Sequence, residues 1–354
     1  MKQKELRKHL RDKKIDVAVF SNLHLQEADP NFVYLSGYEG IGFLVVPKIK
    51  PAFLLVPPME ALRAKRNSFV RVVVAKENLA EELKKKIGRV KIVGYDKKGM
   101  TVAFLERLKR ELKGSYRDIG RFCRNSRAVK TKEEIKILRK ACSLTDKIFQ
   151  KTFRHFKDFR TEADVAAFML NETYRSGLEP SFKPIVASGK NAAEPHHGSR
   201  PEKLRKGFCI IDFGLKYKGY CSDESRTVYL GKPDKKEIEM YSLLLGAQET
   251  AMAIVKPGIK FSDVDDMAKK ILGKMSRYFI HAVGHGVGVE VHEDPFVSKG
   301  GTIIRAGMVL TVEPGVYIPG RSGIRIEDQI LVTEEGSASL TRTGRQLLIL
   351  KHKF

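Results

Sequence analysis

No tryptophan occurs in the 354 residues, and cysteine is scarce at four. Cys123, Cys142, Cys209 and Cys221 lie far apart with no CxxC pair. That excludes a disulfide scaffold and a thiolate zinc site, and it fits a reducing interior compartment. No run of about 18 apolar residues is present, so no membrane span is expected. The opening MKQKELRKHLRDKKIDVAVF is basic, but its apolar stretch is short, contains Asp16 and lacks a small-residue cleavage site. It does not read as a secretory signal. A cytoplasmic protein without a membrane partner is the expectation.

Acidic residues are also in deficit, 42 against 66 Lys+Arg, for a formal net charge of +24. Such an excess suits nucleic acid or an anionic surface, because phosphate neutralisation drives the binding of basic proteins. The distribution weakens that reading. Residues 1–130 hold 30 basic and 14 acidic residues, a net of +16, whereas 131–354 hold 36 and 28, a net of +8. The charge is therefore separable from any chemistry in the later two thirds. Lysine richness without matching glutamate says little about heat adaptation. Hydrophobic content of 42% over this length excludes a mainly disordered chain and suits two domains or one large one.

Short apolar runs alternate with basic helical patterns through the first third. Residues 15–20, 42–46, 52–56, 70–74 and 90–93 read as strands, with a hairpin across the Pro47/Pro51 loop. Residues 81–87 and 102–112 read as helices. This alternation predicts an α/β domain over 1–125. Thr131-Lys-Glu-Glu134 is a capping box, and Ile135, Leu138, Cys142, Ile148 and Phe149 mark one face of the long helix behind it. Its lysine-rich face reads as solvated. Helical patterns follow at 162–176 and 235–255, with strand-like runs at 208–215, 220–230, 308–318 and 324–332. That mixture predicts an α+β domain over 126–354.

Four acids interrupt these apolar strands: Asp212, Asp223, Glu313 and Glu327. Burying an unpaired charge is expensive, and several converging carboxylates repel unless cations sit between them. Asp212 and Asp223 are equidistant from the midpoint of Tyr217 and Lys218, so a hairpin centred there makes them direct cross-strand neighbours. Glu313 and Glu327 are equidistant from Gly320. Five of the nine histidines lie in two clusters, His196-His197 and His281, His285 and His292. His285 adds a nitrogen donor, flanked by Gly284 and Gly286, which let the backbone approach closely. Four carboxylates and an imidazole suit two divalent metal ions about 3.5–4 Å apart. The oxygen-rich set favours Mn2+ or Co2+, with Zn2+ or Fe2+ as alternatives. Taken singly, each acid reads as a salt-bridge or edge-strand carboxylate; the convergence reverses that.

These residues resemble a known family. The motifs at 195–197 (PHH), 212–214 (DFG), 222–228 (SDESRTV), 281–295 (HAVGHGVGVEVHEDP), 307–317 (GMVLTVEPGVY) and 323–328 (GIRIED) are similar to those of the pita-bread metallopeptidases. The nearest branch is that of prolidase and aminopeptidase P. Residues 129–135 and 32–40 resemble prolidases as well, so the likeness covers essentially the whole chain. It implies an α/β creatinase/prolidase N-terminal-like domain and an α+β pita-bread (creatinase/aminopeptidase-like) catalytic domain. By the same likeness, Asp212, Asp223, His285, Glu313 and Glu327 are the dinuclear metal ligands, with Asp223 and Glu327 bridging. Glu313 would also exchange protons with the bridging hydroxide. His196, His281 and His292 match substrate and transition-state histidines, His281 or His292 stabilising the oxyanion, and Arg325 matches a site arginine. Arg325 also lies two residues before Glu327, hence on the same strand face. His197 is balanced between a structural and a functional role. One departure stands out: Glu224 follows Asp223 where the family carries Ile or Met. Strand alternation should point it away, while Ser225 keeps a hydroxyl.

The implied activity is hydrolysis of Xaa-Pro bonds in proline-containing dipeptides by a homodimer. The alternative is an aminopeptidase P acting on longer peptides. A basic noncatalytic scaffold on the same fold is disfavoured by the full ligand set, and methionine aminopeptidase by the preceding domain and Arg325. No GxSxG nucleophile motif occurs, and Gly286-Val-Gly288 lacks the third glycine of a nucleotide loop.

Overall fold

β-branched and aromatic residues at 17–22, 42–47 and 53–56 pair into the centre of a six-stranded sheet, ordered Arg71–Val74, Phe53–Val56, Gly42–Pro47, Val17–Asn22, Ile92–Tyr95 and Ser115–Asp118. Residues 2–23, 28–76, 78–298 and 301–351 are described by the structure, a computed structural model. The chain divides into two units, Met1–Arg127 and Ala128–Phe354. In the first, Val17, Val19, Phe43, Val45 and Leu55 pack one face of the sheet against Leu83, Phe104 and Leu108 of the helices Leu79–Ile87 and Val102–Glu111. Helices Lys2–Asp12 and Pro30–Ser36 were not anticipated; both are short, and one is nearly all charge on its outer face. Among the described residues no helix is long and apolar enough to cross a membrane.

The second unit opens on the expected capping box. Thr131 Oγ1 accepts from Glu134 N and Glu134 Oε2 accepts from Thr131 N at 2.8 Å, starting helix Lys132–His155. Leu138, Cys142, Ile148 and Phe149 are buried on it. Two sheets carry the site. One is ordered Leu348–Leu350, Glu224–Leu230, Gly207–Phe213, Ile185–Ser188; the other Glu293–Phe296, His285–Gly286, Val309–Val312, Asp328–Val332, Ser337–Ser339. A separate hairpin joins Gly315–Ile318 to Ser322–Arg325. Helices Lys235–Ala253 and Phe261–Leu272 close the core around Phe208, Leu244, Val264, Leu310 and Ile330.

The expected long strands are interrupted. Residues 220–230 break at Ser222-Asp223, 308–318 at Glu313-Pro314, and 324–332 at Ile326-Glu327. Residues 208–215 end one strand at Phe213 and resume at Leu215 in another sheet. The carboxylates sit at or beside these breaks, where the backbone re-aims a side chain.

The first hairpin corrects the expected register. Tyr217 pairs with Tyr220 and Asp212 with Ser225, so Asp212 does not face Asp223 directly. Lys218 and Gly219 both take positive φ, 50° and 77°, so the two-residue loop closes one position later than the symmetric reading assumed. The slip in pairing is two residues, which preserves the face because side chains alternate with period two. The second hairpin keeps the expected register, Gly315 with Arg325 and Ile318 with Ser322, about Gly320 at φ 67°.

Candidate metal centre

The strand breaks bring the acids and His285 into one buried cluster. His285 Nε2 lies 3.2 Å from Glu313 Oε1 and 3.7 Å from Asp223 Oδ2. One donor atom each from Asp223, His285 and Glu327 falls within a 4.8 Å span. Asp212 is held by Arg325, whose Nη2 donates to Asp212 Oδ2 at 2.6 Å. Gly284 and Gly286 permit this assembly: a Cβ on Gly284 would stand 2.1 Å from the Thr311 carbonyl oxygen, and one on Gly286 2.5 Å from that of Asp294.

Each donor is braced from behind. His285 Nδ1 donates to the Gly286 carbonyl at 3.1 Å, which leaves Nε2 as the nitrogen that faces the acids. Thr311 Oγ1 accepts from His285 N and donates to Glu313 Oε1. Ser225 Oγ donates to Glu327 Oε2 and accepts from Arg325 Nε, both at 2.8 Å. Gln329 Oε1 accepts from Asp223 N at 3.1 Å, holding the bend open. Behind His292, Glu293 is locked by a buried pair with Lys130 at 2.9 Å.

The electrostatics call for cations. Burial, then the charge of Asp212, pushes Asp223 well above the usual carboxylate range. Burial, then Asp223 and Glu313, does the same to Glu327. Asp212 is raised by burial against the pull of Arg325. Burial opposes charge on both His285 and Glu313, yet their contact raises the imidazole and lowers the carboxylate. Asp212 Oδ1 and Glu327 Oε1 are buried with no hydrogen-bond partner. Orphaned carboxyl oxygens in one buried cluster with an imidazole nitrogen are a donor set for hard divalent cations, which displace the protons that burial otherwise holds there.

A sign follows for stability. A carboxyl whose folded pKa is raised binds more protons folded than unfolded, so stability falls as pH rises above the unfolded value. For Asp212, Asp223 and Glu327 those values are 3.8, 3.8 and 4.5. Chelator-treated protein is expected to lose melting temperature as pH rises from about 5 to 7, and metal-loaded protein to lose much less. Parallel melting temperatures with and without Mn2+ across this range would contradict the assignment.

Around the cluster, His281 and His292 differ. His281 Nδ1 donates to the Ala282 carbonyl at 2.8 Å, and burial lowers its pKa, so the ring is neutral. Its Nε2 accepts from the Tyr317 hydroxyl at 2.9 Å, and Tyr317 in turn accepts from Arg325 Nη1 at 2.9 Å. Tyr317 was missed because a tyrosine in an apolar strand reads as core. Its even spacing from Glu313, four residues along one expected strand and hence on the same face, was the available signal. His292 lies against His285 with ring centroids 4.1 Å apart and the planes tilted by 58°. Although His292 reaches solvent, desolvation of the rest of the ring and then the His285 charge lower its pKa to about 4. His196 is exposed, next to Pro195, whose carbonyl accepts from Arg325 Nη1 at 3.1 Å. His197 points elsewhere: it is buried, 2.8 Å from Glu162 and 3.2 Å from Glu194, in a network that also holds Ser188 and Asn191. That is a structural role. Glu224 points away from the cluster, buried 2.8 Å from Arg226 Nη2. An open cleft of about 830 Å³, lined by Lys190, Glu194, Arg277, Tyr278, Ile280 and Tyr317 among others, adjoins the site.

Comparison with known proteins accounts for this geometry. Residues 2–129 match the creatinase/prolidase N-terminal domain, and residues 136–334 match metallopeptidase family M24. The Xaa-Pro dipeptidase of Pyrococcus horikoshii is 36% identical over 90% of this chain and 92% of that protein. The crystal structure of the prolidase from Pyrococcus horikoshii OT3 has a TM-score of 0.89 at 34% identity, covering 98% of this chain and 99% of that one. That of the X-Pro aminopeptidase from Thermotoga maritima MSB8 also has a TM-score of 0.89, at 28% identity, covering 96% of this chain and 100% of that one. With an acid- and histidine-lined centre built on pita-bread sheets and matched over most of its length, the chain belongs to metallopeptidase family M24, behind a creatinase/prolidase N-terminal domain.

Proposed function

We propose that the chain is an Xaa-Pro dipeptidase, a prolidase, dependent on two divalent metal ions that Asp212, Asp223, His285, Glu313 and Glu327 would hold, Asp223 and Glu327 being the carboxylates that would serve both. The observation that carries the site is the set of orphaned, raised carboxyls clustered with His285 Nε2. The likeness to Xaa-Pro dipeptidases over nine tenths of the chain carries the substrate. Mn2+ or Co2+ fits the four-carboxylate donor set. Four free, buried cysteines suit the reducing cytoplasm, and a homodimer belongs to the same reading.

When bound, the two cations supply Lewis acidity, making water a stronger acid and the scissile carbonyl a better electrophile. Glu313 takes the proton of the attacking water and returns it to the proline nitrogen. Arg325 orients Asp212 through its carboxylate bond, and Glu327 through Ser225. His292 is the donor to the developing oxyanion. His281 Nε2 already accepts from Tyr317, so that nitrogen has no proton to give. His281 is then a positioning residue at the end of an Arg325–Tyr317–His281 chain. His292→Ala is expected to lower kcat by about a hundredfold with little change in KM, the scale of losing one oxyanion donor. His281→Ala should fall short of that; steady-state kinetics on Ala-Pro decide between them.

A second reading, aminopeptidase P activity on longer peptides, is favoured by the open cleft beside Tyr317, which exceeds the volume of a dipeptide. Metal-loaded enzyme assayed on Ala-Pro against Ala-Pro-Xaa peptides separates the two. A dipeptidase should lose most of its kcat/KM at the third residue, and equal rates would select the second reading. No hydrolysis of either peptide by folded, metal-loaded protein would refute both.

A further inference from the structure

The N-terminal unit carries most of the net charge, and its topology gathers part of that charge at one edge. Parallel strands Val17–Asn22, Ile92–Tyr95 and Ser115–Asp118 begin there, and the antiparallel strand Gly42–Pro47 ends there. The loops at this edge, residues 12–16, 47–52, 88–91 and 112–114, carry Lys13, Lys14, Lys50, Arg89, Lys91 and Lys113, all exposed. These residues are far apart in sequence, so the cluster is a product of the fold.

Hydrogen bonds tie the loops into one surface. Asp16 Oδ2 accepts from the amides of Lys91 at 2.8 Å and Ile92 at 3.0 Å, and the Asp16 carbonyl accepts from Lys48 N at 3.0 Å. Ser115 N donates to the Lys91 carbonyl at 2.8 Å, and Arg117 Nη1 to the Lys13 carbonyl at 2.7 Å. The central acid is already engaged, because Asp16 Oδ1 pairs with Lys48 at 2.7 Å. Nearby Glu111 pairs with Lys84 at 3.6 Å. None of the six cations named above forms an ion pair among the described residues, and only Asp12 is left to offset them. Their mutual repulsion is relieved by an extended polyanion.

We propose that this basic pole binds the sugar–phosphate backbone of duplex nucleic acid without reading its sequence. Residues 12–16, 47–52, 88–91 and 112–114 contain no aromatic residue, and the one exposed aromatic beside them, Phe69 in the turn before Arg71–Val74, is too little to make the stacking platform that single strands require. Ile49 and Phe69 are the large apolar side chains strongly exposed there, at 74% and 65%, which is too little to insert into a membrane. Phosphate neutralisation at spaced lysines and arginines is what remains.

The test is fluorescence anisotropy of a labelled DNA duplex of about 20 base pairs, titrated with the full chain at roughly 50 to 200 mM KCl. Binding is expected, weakening steeply with salt. The variant Lys50→Glu/Lys91→Glu/Lys113→Glu should bind at least tenfold more weakly, with the slope of log K against log salt reduced by about three. A control with the same change of net charge, Lys236→Glu/Lys256→Glu/Lys274→Glu, alters exposed lysines of the other unit and should bind nearly as the parent does. Peptidase activity in each variant reports folding. No binding at the lowest salt, equal weakening by both triple variants, or capture by phosphatidylserine vesicles without capture by the duplex would each overturn the proposal.

Discussion

Glu313→Gln is expected to give a folded protein that hydrolyses Ala-Pro about a thousandfold more slowly than the parent, the scale of a lost general acid–base group. The amide keeps the size and one oxygen of the carboxylate, so Thr311 can still donate to it. It cannot take up a proton, and it offers His285 no anion. Glu313 stands at a strand break followed by Pro314, and its neighbours in the strand, Thr311 and Val312, are fully buried. The backbone that aims it is therefore set by packing and survives the change. Measuring metal content beside kcat separates two causes. A protein that retains two ions and is slow assigns Glu313 to proton transfer, whereas a protein that loses one makes it chiefly a ligand. Activity within tenfold of the parent with full metal would remove Glu313 from the proton path, leaving His292 as the next candidate.

The ease with which this residue was found in the sequence has a physical cause. Acids in Val/Ile-rich strands violate the burial rule, and the violation is visible without a structure. The second hairpin was legible for a related reason: Pro319 and Gly320 leave one place for a turn, and Gly315 to Arg325 pairs accordingly. The first was misjudged because Lys-Tyr-Lys-Gly offers two places to turn, and only the positive φ of both Lys218 and Gly219 decides between them. The error did no harm to the site, since a two-residue shift leaves Asp212 and Asp223 on one face. The strand breaks at 222–223 and 326–327 were illegible because strand-forming residues resume directly beyond each, and only the break at 313–314 carries a local signal, Pro314. Tyr317 and His197 show the limit in opposite directions. Their neighbours in sequence are alike in kind, a site residue or an apolar strand, and only the partner of the polar atom tells them apart. Tyr317 meets His281 and Arg325, whereas His197 meets Glu162.

Glu224 departs from the pattern of the family, and its consequences reach stability more than chemistry. Arg226 lies fully inside the protein, 2.8 Å from Glu224 and 2.9 Å from Asp328, and it also donates to the carbonyls of Ser225, Glu327 and Thr343. Arg226→Met is expected to cost about 3–5 kcal/mol, because it leaves buried acids without their cation. In a unit of this size that is a fall in melting temperature of roughly 10 °C. The two acids are not equivalent, however. Asp328 keeps Arg345 at 2.6 Å, Thr341 at 2.7 Å and Gln248 at 2.8 Å, so it survives the loss. Glu224 has the ion pair with Arg226 but no aligned hydrogen bond to either oxygen. Burial, opposed by Arg226, pushes its pKa up to about 8. Glu224→Met should therefore be neutral or stabilising, and Glu224→Met/Arg226→Met less damaged than Arg226→Met alone. The sign with pH is fixed by linkage: the folded state resists ionising Glu224 as pH climbs from 4.5 towards 8, and the unfolded state does not. The advantage of Glu224→Met, read as the difference in melting temperature from the parent, should widen across that range. An advantage that shrinks, or a Glu224→Met protein as unstable as Arg226→Met, would show that this acid is a needed partner of Arg226.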